Sequence, residues 1–363
     1  MRQLATIRPI KELRPIPDAD RIETAIIDGW ECVVQKGQFE VGELVIYIEI
    51  DSIVPETPEF EFMRPRKFRV KTAKMRGQVS QGLVMPTSIL PKNTAIADGA
   101  DVTEVLGITK YDPQAAQEQE LLKAAGKKKQ TKLHKFMMRF KPYRWLYLKT
   151  HQKPPSGAFP SWIHKTDEER IQNMPRVVEQ AATHKMEFSV TEKVDGQSAT
   201  YYLKRISNRK REFGVCSRNI HLLTPDNSSY WSVARKYNIE AVLSSILGDH
   251  ESVVLQGEII GPGIQGNKYK RSDYELYAFN LIYPGHSCTT DEISRLLRPL
   301  GIQTVPMVDE AHLLSSIPDE VEYSKGKSQL LSSQRREGVV MRNMASGISF
   351  KVINPDFLLK DEE

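Results

Sequence analysis

One lysine stands in a setting suited to covalent chemistry. It is Lys193, in the run Phe188-Ser-Val-Thr-Glu192-Lys193-Val194-Asp195-Gly196-Gln-Ser-Ala-Thr200. A deprotonated lysine amine is a nucleophile, and a carboxylate two residues on can serve a cation or an attacking hydroxyl. Lys-x-Asp-Gly is the form of a nucleotidyl-transfer motif, whose lysine attacks the α-phosphate of a nucleotide and carries the nucleotide as a phosphoramidate. The same residues have a plainer reading. Met186, Phe188 and Val190 alternate with polar residues, the period of a half-buried strand, and Gln197 to Leu203 reads as a second strand. An Asp-Gly between two strands is an ordinary hairpin turn. The run alone leaves both readings open.

Further candidates follow in a fixed order. Ser217-Arg218-Asn219 comes after the strand-like Glu212-Phe-Gly-Val-Cys216. Glu258 is the single carboxylate inside the apolar run Val253-Val-Leu-Gln-Gly-Glu258-Ile-Ile, and Phe279 lies in another strand run, Tyr274 to Ile282. Glu337 precedes an apolar run within Arg336 to Arg342, and Lys351 sits near the C-terminus in Ser349-Phe350-Lys351-Val352-Ile353-Asn354. Each has its own plain reading: Glu258 as an edge carboxylate, Lys351 as a solvated strand residue, Phe279 as sheet core. Six such pieces in one order are hard to reach by chance.

Together these pieces resemble motifs I, Ia, III, IIIa, IV and V of the ATP-dependent RNA ligases. That superfamily also holds DNA ligases and mRNA-capping guanylyltransferases. The chain is most similar to the Naegleria-type class, which carries an OB domain ahead of the nucleotidyltransferase domain. The motif-bearing resemblance spans roughly 165–360 and the N-terminal one roughly 1–110. It implies an α+β chain in three parts: an OB-fold β-barrel over 1–110, a basic, partly helical linker over 111–157, and a nucleotidyltransferase domain over 158–363. This last part is an ATP-grasp-like ligase domain of antiparallel sheets with flanking helices.

The resemblance also implies roles. Lys193 attacks ATP and releases pyrophosphate. The AMP then passes to a 5′-phosphate, and a 3′-OH expels it, so RNA ends are joined, as in RNA repair. Asp195 contacts metal or the attacking 3′ end, and Lys351 holds the α-phosphate. Arg218 suits a phosphate or sugar, being a permanent bidentate donor. Asn219 suits the terminal nucleoside hydroxyls, and Phe279 the adenine face. Glu258, Glu337 and Asp195 are the candidates for a Mg2+ or Mn2+ ion, through its water shell. Glu192, beside the nucleophile, joins the nucleotide contacts. Arg170 or Lys165 is placed at the leaving pyrophosphate, although Thr166 followed by Glu169 reads equally as a capping box at a helix start. One departure stands out: where the family often has Lys-x-Lys, Lys351 is followed two residues later by Ile353.

Composition agrees with this outline. The 363 residues suggest two domains, and a 40% apolar content suffices for real cores. Cys32, Cys216 and Cys288 lie far apart, which argues against a zinc site or a disulfide framework and suits a reducing compartment. With no apolar h-region at the start and no apolar run long enough to span a bilayer, we expect an intracellular protein, cytoplasmic or nuclear, with no membrane partner. A monomer is expected.

Charge is uneven. Residues 121–166 hold 12 Lys/Arg and no Asp/Glu, although the whole chain carries only +5. Phe136, Phe140, Tyr143, Trp145 and Tyr147 interleave with those cations. Such a mixture suits phosphate contacts and base stacking, or equally a solvated linker whose aromatics pack on a neighbouring domain.

Elsewhere, residues 22–27, 30–34, 44–50 and 82–85 read as strands punctuated by Asp28-Gly29, Lys36-Gly37 and Val41-Gly42. An OB-fold fits this spacing, and periodicity alone also permits an SH3-like barrel. A helical pattern runs from about Asp112 to Gly126. The N-terminal barrel is expected to bind substrate or assist adenylylation.

Two other functions share parts of the pattern. A DNA ligase or a GTP-dependent guanylyltransferase would make the same covalent step. Those enzymes usually place an OB domain after motif V, where this chain has about ten residues. A non-catalytic nucleic-acid-binding protein would have lost some of Lys193, Asp195, Glu258, Glu337 and Lys351, and all five are present.

Overall fold

The computed structural model describes residues 3–111 and 156–360. The expected helix from Asp112 and most of the basic 121–166 segment lie outside the described residues.

In the N-terminal unit, Ala5–Pro9 pairs antiparallel with Leu44–Ile48, which pairs in turn with Leu83–Pro86. Glu12–Pro15, Ile22–Ile27 and Trp30–Gln35 form a meander beside them. The strand Leu44–Ile48 explains why its sequence is an unbroken apolar run: both of its faces are covered. Ile46 and Ile48 join Ile7, Phe60 and Val70 in one core, while Val45 and Tyr47 join Ala25, Trp30 and Cys32 in another. All four strands expected from sequence are present. Ala5–Pro9 and Glu12–Pro15 were not anticipated, since each ends in proline and the second is largely exposed.

The C-terminal unit is built on two sheets. The larger runs in the order Gly157–Ala158, Ile220–His221, Lys210–Cys216, Gln197–Ser207, Ser252–Ile260, Glu275–Tyr283, His286–Ser287, with Gln303–Thr304 added parallel to Glu275–Tyr283. The smaller has Met307–Leu313, Glu187–Lys193, Gly338–Asn343 and Ile348–Ile353, all antiparallel. Short helices flank them. Thr290–Leu297 starts with a full capping box from Thr289 and Glu292, and buries Ile293 and Leu297. Among the described residues no helix is long and apolar enough to cross a membrane.

Two local expectations change. Asp195-Gly196 is not a hairpin turn. Glu187–Lys193 belongs to the smaller sheet and Gln197–Ser207 to the larger, so the run is a crossover between sheets. Gly196 is required there by close approach: a Cβ would collide with the Ile259 carbonyl. Nor does Thr166 start a helix. Its Oγ1 lies 2.6 Å from Ser198 Oγ, and Glu169 Oε1 accepts from Asn173 Nδ2 at 2.9 Å. Tertiary partners thus take the groups that a capping box would use.

The two units meet through polar and apolar contacts. Trp30 Nε1 donates to Asn173 Oδ1 at 3.0 Å, and Asn173 Nδ2 donates to Glu49 and, at 2.9 Å, to Glu169. Arg170 pairs with Asp51 at 3.5 Å, and Leu358 of the helix Pro355–Lys360 packs against the barrel core.

The three thiols are buried, and burial pushes Cys32 and Cys216 each up to about 12 and raises Cys288 as well. A thiolate-directed reagent at pH 8 is therefore expected to react slowly with the native protein and with three thiols once it is unfolded. Fast labelling of the native chain would contradict this packing.

Candidate active site

The crossover at Lys193 opens a cavity of about 240 Å3 between the sheets. Glu192 and Lys193, Val340 and Arg342, and Lys351 line it from the smaller sheet. Ser198, Glu258 and Phe279 line it from the larger. The connections add Asp195, Gly196, Arg218, Glu337 and the Thr166-Asp167-Glu168 segment. Strand register explains how distant sequence positions meet. Lys193 pairs with Gly338, which places Glu337 beside it, and Gly338 also pairs with Ile353, two residues past Lys351. The Glu337 backbone is fixed from both sides. Its carbonyl accepts from Asn354 N at 2.9 Å, and the preceding Arg336 donates to the Ser324 and Lys325 carbonyls.

Charge is crowded around the lysine. Lys193 Nζ donates to Glu337 Oε2 at 2.6 Å. Burial works to lower the Lys193 ammonium, but Glu337, Glu258 and Asp195 outweigh it and raise it. Burial pushes Glu258 up to about 8, with Lys193 opposing and Glu337 and Asp195 adding to the rise. Asp195 is pushed up to about 6 by burial and by Glu337, against the pull of Lys268 and Lys193. The Lys268 ammonium sits 2.8 Å from Asp195 Oδ2, and the Asp195 amide donates to Tyr269 Oη at 2.9 Å. In this state the lysine is held as a cation.

A second cluster forms at Asp167. Arg218 Nη2 lies 2.9 Å and Lys351 Nζ 3.5 Å from its Oδ1, and Lys110 Nζ lies 2.9 Å from its Oδ2. Burial alone would raise the Asp167 carboxyl. Lys351, Lys110 and Arg218 together overcome that and hold it well below the ordinary range.

Of the residues singled out from sequence, Glu192, Lys193, Asp195, Arg218, Glu258, Phe279, Glu337 and Lys351 all line the one cavity. Glu192 is buried. Its Oε2 accepts from the Gln329 amide at 2.7 Å, and its Oε1 has no hydrogen-bond partner among the described residues. Arg170 and Asn219 do not line the cavity. Arg170 faces the barrel, near Asp51 and the Trp30 ring, while Asn219 Oδ1 accepts from Lys165 Nζ at 3.2 Å. Ile353 is buried at 4% exposure outside the cavity lining, a place that would cost a lysine its hydration.

Sequence reasoning missed Asp167, Lys110, Lys268 and Arg342. Arg342 lies over the Phe279 ring at 5.9 Å and pairs with Glu168. Asp167 stood inside a run already singled out, between Lys165 and Arg170. Nothing local marks Lys110 or Lys268.

The carboxylates Asp195, Glu258 and Glu337 do not together form a compact three-oxygen cluster in this state. Among the described residues the set of potential metal donors whose ligand atoms lie within 4.8 Å of one another is His286, Cys288 and Glu292, none of which lines the cavity.

The raised Glu258 carboxyl carries a stability consequence. An acid at 4.5 when unfolded and about 8 when folded binds its proton more tightly in the native state. Stability is thus lost as pH rises from 4.5 through about 8. Glu258→Gln removes that loss, so its melting temperature is expected to exceed wild type at pH 8, with the gap closing toward pH 5. Thermal melts across that range check it, and a gap independent of pH would refute the assignment.

An OB-fold domain model matches residues 4–87, and an RNA ligase family model matches residues 186–353. No curated protein matches the chain. Among solved structures, Naegleria gruberi RNA ligase with pyrophosphate is 31% identical, with a TM-score of 0.79, covering 100% of this chain and 99% of that one. A glutamate-to-alanine variant of the same enzyme with ATP and Mn is 31% identical at a TM-score of 0.80, covering 100% of both chains. Another such variant, with AMP and Mn, is 31% identical at 0.79, covering 100% and 99%. With both its domains matched and its cavity holding the lysine, the carboxylates and the cations of the motif set, this chain belongs to the RNA ligase family.

Proposed function

We propose that the chain seals 3′-OH and 5′-phosphate RNA ends with ATP, through AMP bound covalently to Lys193. The observation that carries this is the convergence of six separated sequence motifs on one cavity, with the lysine amine inside it.

The amine must first lose its proton. In the state described, Glu337 stabilises the ammonium at 2.6 Å. A divalent cation fits this site: Asp195, Glu258 and Glu337 are hard oxygen donors, and their mutual repulsion is a charge excess that a cation relieves. Magnesium keeps much of its water shell, so these donors would hold the ion largely through water. When bound, the ion supplies positive charge that favours the neutral amine and offsets the charge of the phosphates.

The remaining groups position and neutralise. Lys193 Nζ forms a bond to the α-phosphorus while the bond to the pyrophosphate oxygen breaks. Lys351 and Arg218 hold the phosphates as fixed cations. Phe279, with Arg342 over its ring, offers a stacking face for adenine, and the Glu192 Oε1 lone pair suits its amino group. The AMP next passes to an RNA 5′-phosphate, and a 3′-OH attacks that phosphorus and expels AMP. We assign Arg170 an indirect part, holding barrel and catalytic domain together. A nicked duplex or the two ends of a broken strand is the substrate we infer, taken by a monomer, with the basic 121–166 segment as a further contact.

Intact mass tests the covalent step. Incubation with ATP and magnesium should add one AMP to wild type and none to Lys193→Ala. Sealing of an RNA nick should fall by at least about a thousandfold in that variant, the scale of losing a covalent nucleophile. A GMP adduct from GTP would move the reading to capping chemistry, efficient sealing of an all-DNA nick would move it to DNA ligation, and no adduct would leave only nucleic-acid binding.

A further inference from the structure

Asp167 has an unusual position for an acidic residue. It lines the cavity where a polyanionic substrate must enter, and both its oxygens are taken by cations from three separate segments. Lys110 comes from the strand Thr109–Lys110, which pairs with Ser52–Ile53 of the barrel. Arg218 comes from the turn after Lys210–Cys216, and Lys351 from Ile348–Ile353. Arg218 and Lys351 are the same cations that the ligase reading assigns to nucleotide phosphates. A phosphate delivered to them stands beside a carboxylate of like charge, so the two anions compete for one set of partners.

The local structure permits an exchange. Thr166 is tied to Ser198 at 2.6 Å, and Glu168 to Ser349 at 2.7 Å and Arg342 at 3.2 Å, so the residues on both sides of Asp167 are anchored. The Asp167 side chain itself is 36% exposed and can turn into water while its backbone stays in place. Partly exposed ion pairs are weak enough for a multivalent anion to displace.

Resting on the ligase reading, we propose that Asp167 is an internal competitor for the phosphate-binding cations, displaced when phosphates enter and returning to each cation as the phosphate on it leaves. It occupies the cations in the empty enzyme and so keeps Arg218, Lys351 and Lys110 gathered without a ligand. It also opposes tight retention of the product anion.

The test is calorimetric binding of inorganic pyrophosphate to the full chain in magnesium buffer. Asp167→Asn removes the charge at nearly constant shape. It should bind pyrophosphate roughly three- to tenfold more tightly than wild type, the scale of losing one partly exposed competing ion pair. KM for ATP in adenylylation should fall by a similar factor. Asp167→Glu keeps the charge and should bind pyrophosphate as wild type does. Unchanged or weaker binding by Asp167→Asn overturns the proposal, as does tighter binding by Asp167→Glu. Asp167→Ser serves as a second neutral variant, and failure of both neutral variants to fold makes Asp167 a scaffold residue and equally overturns it. Pyrophosphate binding needs no chemistry, so this result is independent of whether wild type loads AMP, which tests the ligase reading alone.

Discussion

The placement of one ammonium among three carboxylates governs this molecule. Lys193 is held by Glu337 at 2.6 Å and raised further by Glu258 and Asp195. These four groups come from a strand end, a sheet crossover, the middle of a second sheet and a loop 144 residues downstream of the lysine. Bringing them together requires both sheets at a fixed spacing. The absence of a side chain at Gly196 is part of that spacing, because the crossover passes against the backbone of Ile259. The apolar faces of the sheets, with Phe188, Phe350, Val339 and Val352 packed in one core and Tyr201, Leu203, Val253 and Leu255 in another, make the arrangement stiff enough to hold like charges near one another. A site built this way gives up stability for chemistry.

The barrel is part of the same construction. Asn173 and Arg170 lie a few residues from Asp167 and Glu168, yet their side chains bond Glu49, Trp30 and Asp51 of the other domain. Lys351 N, in turn, donates to the Glu169 carbonyl at 2.7 Å. The segment 164–174 is thus a seam: one edge reaches the cavity, and the other fastens the OB domain.

Much of this was legible in the chain. Strands whose two faces are both buried, such as Leu44–Ile48 and Ser252–Ile260, show as largely apolar runs, and a lone carboxylate inside one stands out. Glu258 was visible for that reason. The cavity residues on strands were legible because strand register carries them to one place. What escaped was set by tertiary contact alone. Asp195-Gly196 has the composition of a hairpin turn, and only the destination of the next strand reveals a crossover. Thr166 and Glu169 have the spacing of a capping box, but Ser198 and Asn173 claim their side chains. Lys110 and Lys268 are surface-like lysines in sequence, and their partners lie 57 and 73 residues away.

Ile353 shows how the charge pattern is bounded. It follows Lys351 at strand spacing, on the same face, where a second lysine often stands in relatives of this type. Here the position is 4% exposed and pairs with Gly338, beside the Glu337 carbonyl bonded to Asn354. A lysine there would bury a charge with no carboxylate assigned to it. The chain instead places cations where carboxylates already await them: Lys193 at Glu337, Lys268 at Asp195, and Lys351, Arg218 and Lys110 at Asp167. Each of these cations thus has a carboxylate partner in the free protein, with Lys351, Arg218 and Lys110 sharing one, and a bound nucleotide would compete for them. Asp195, Glu258 and Glu337 would hold a divalent cation, and Arg218 and Lys351 would hold phosphates in place of Asp167. Three cations on one carboxylate leave a positive excess that suits a polyanion, and binding exchanges partners among groups already partly withdrawn from water.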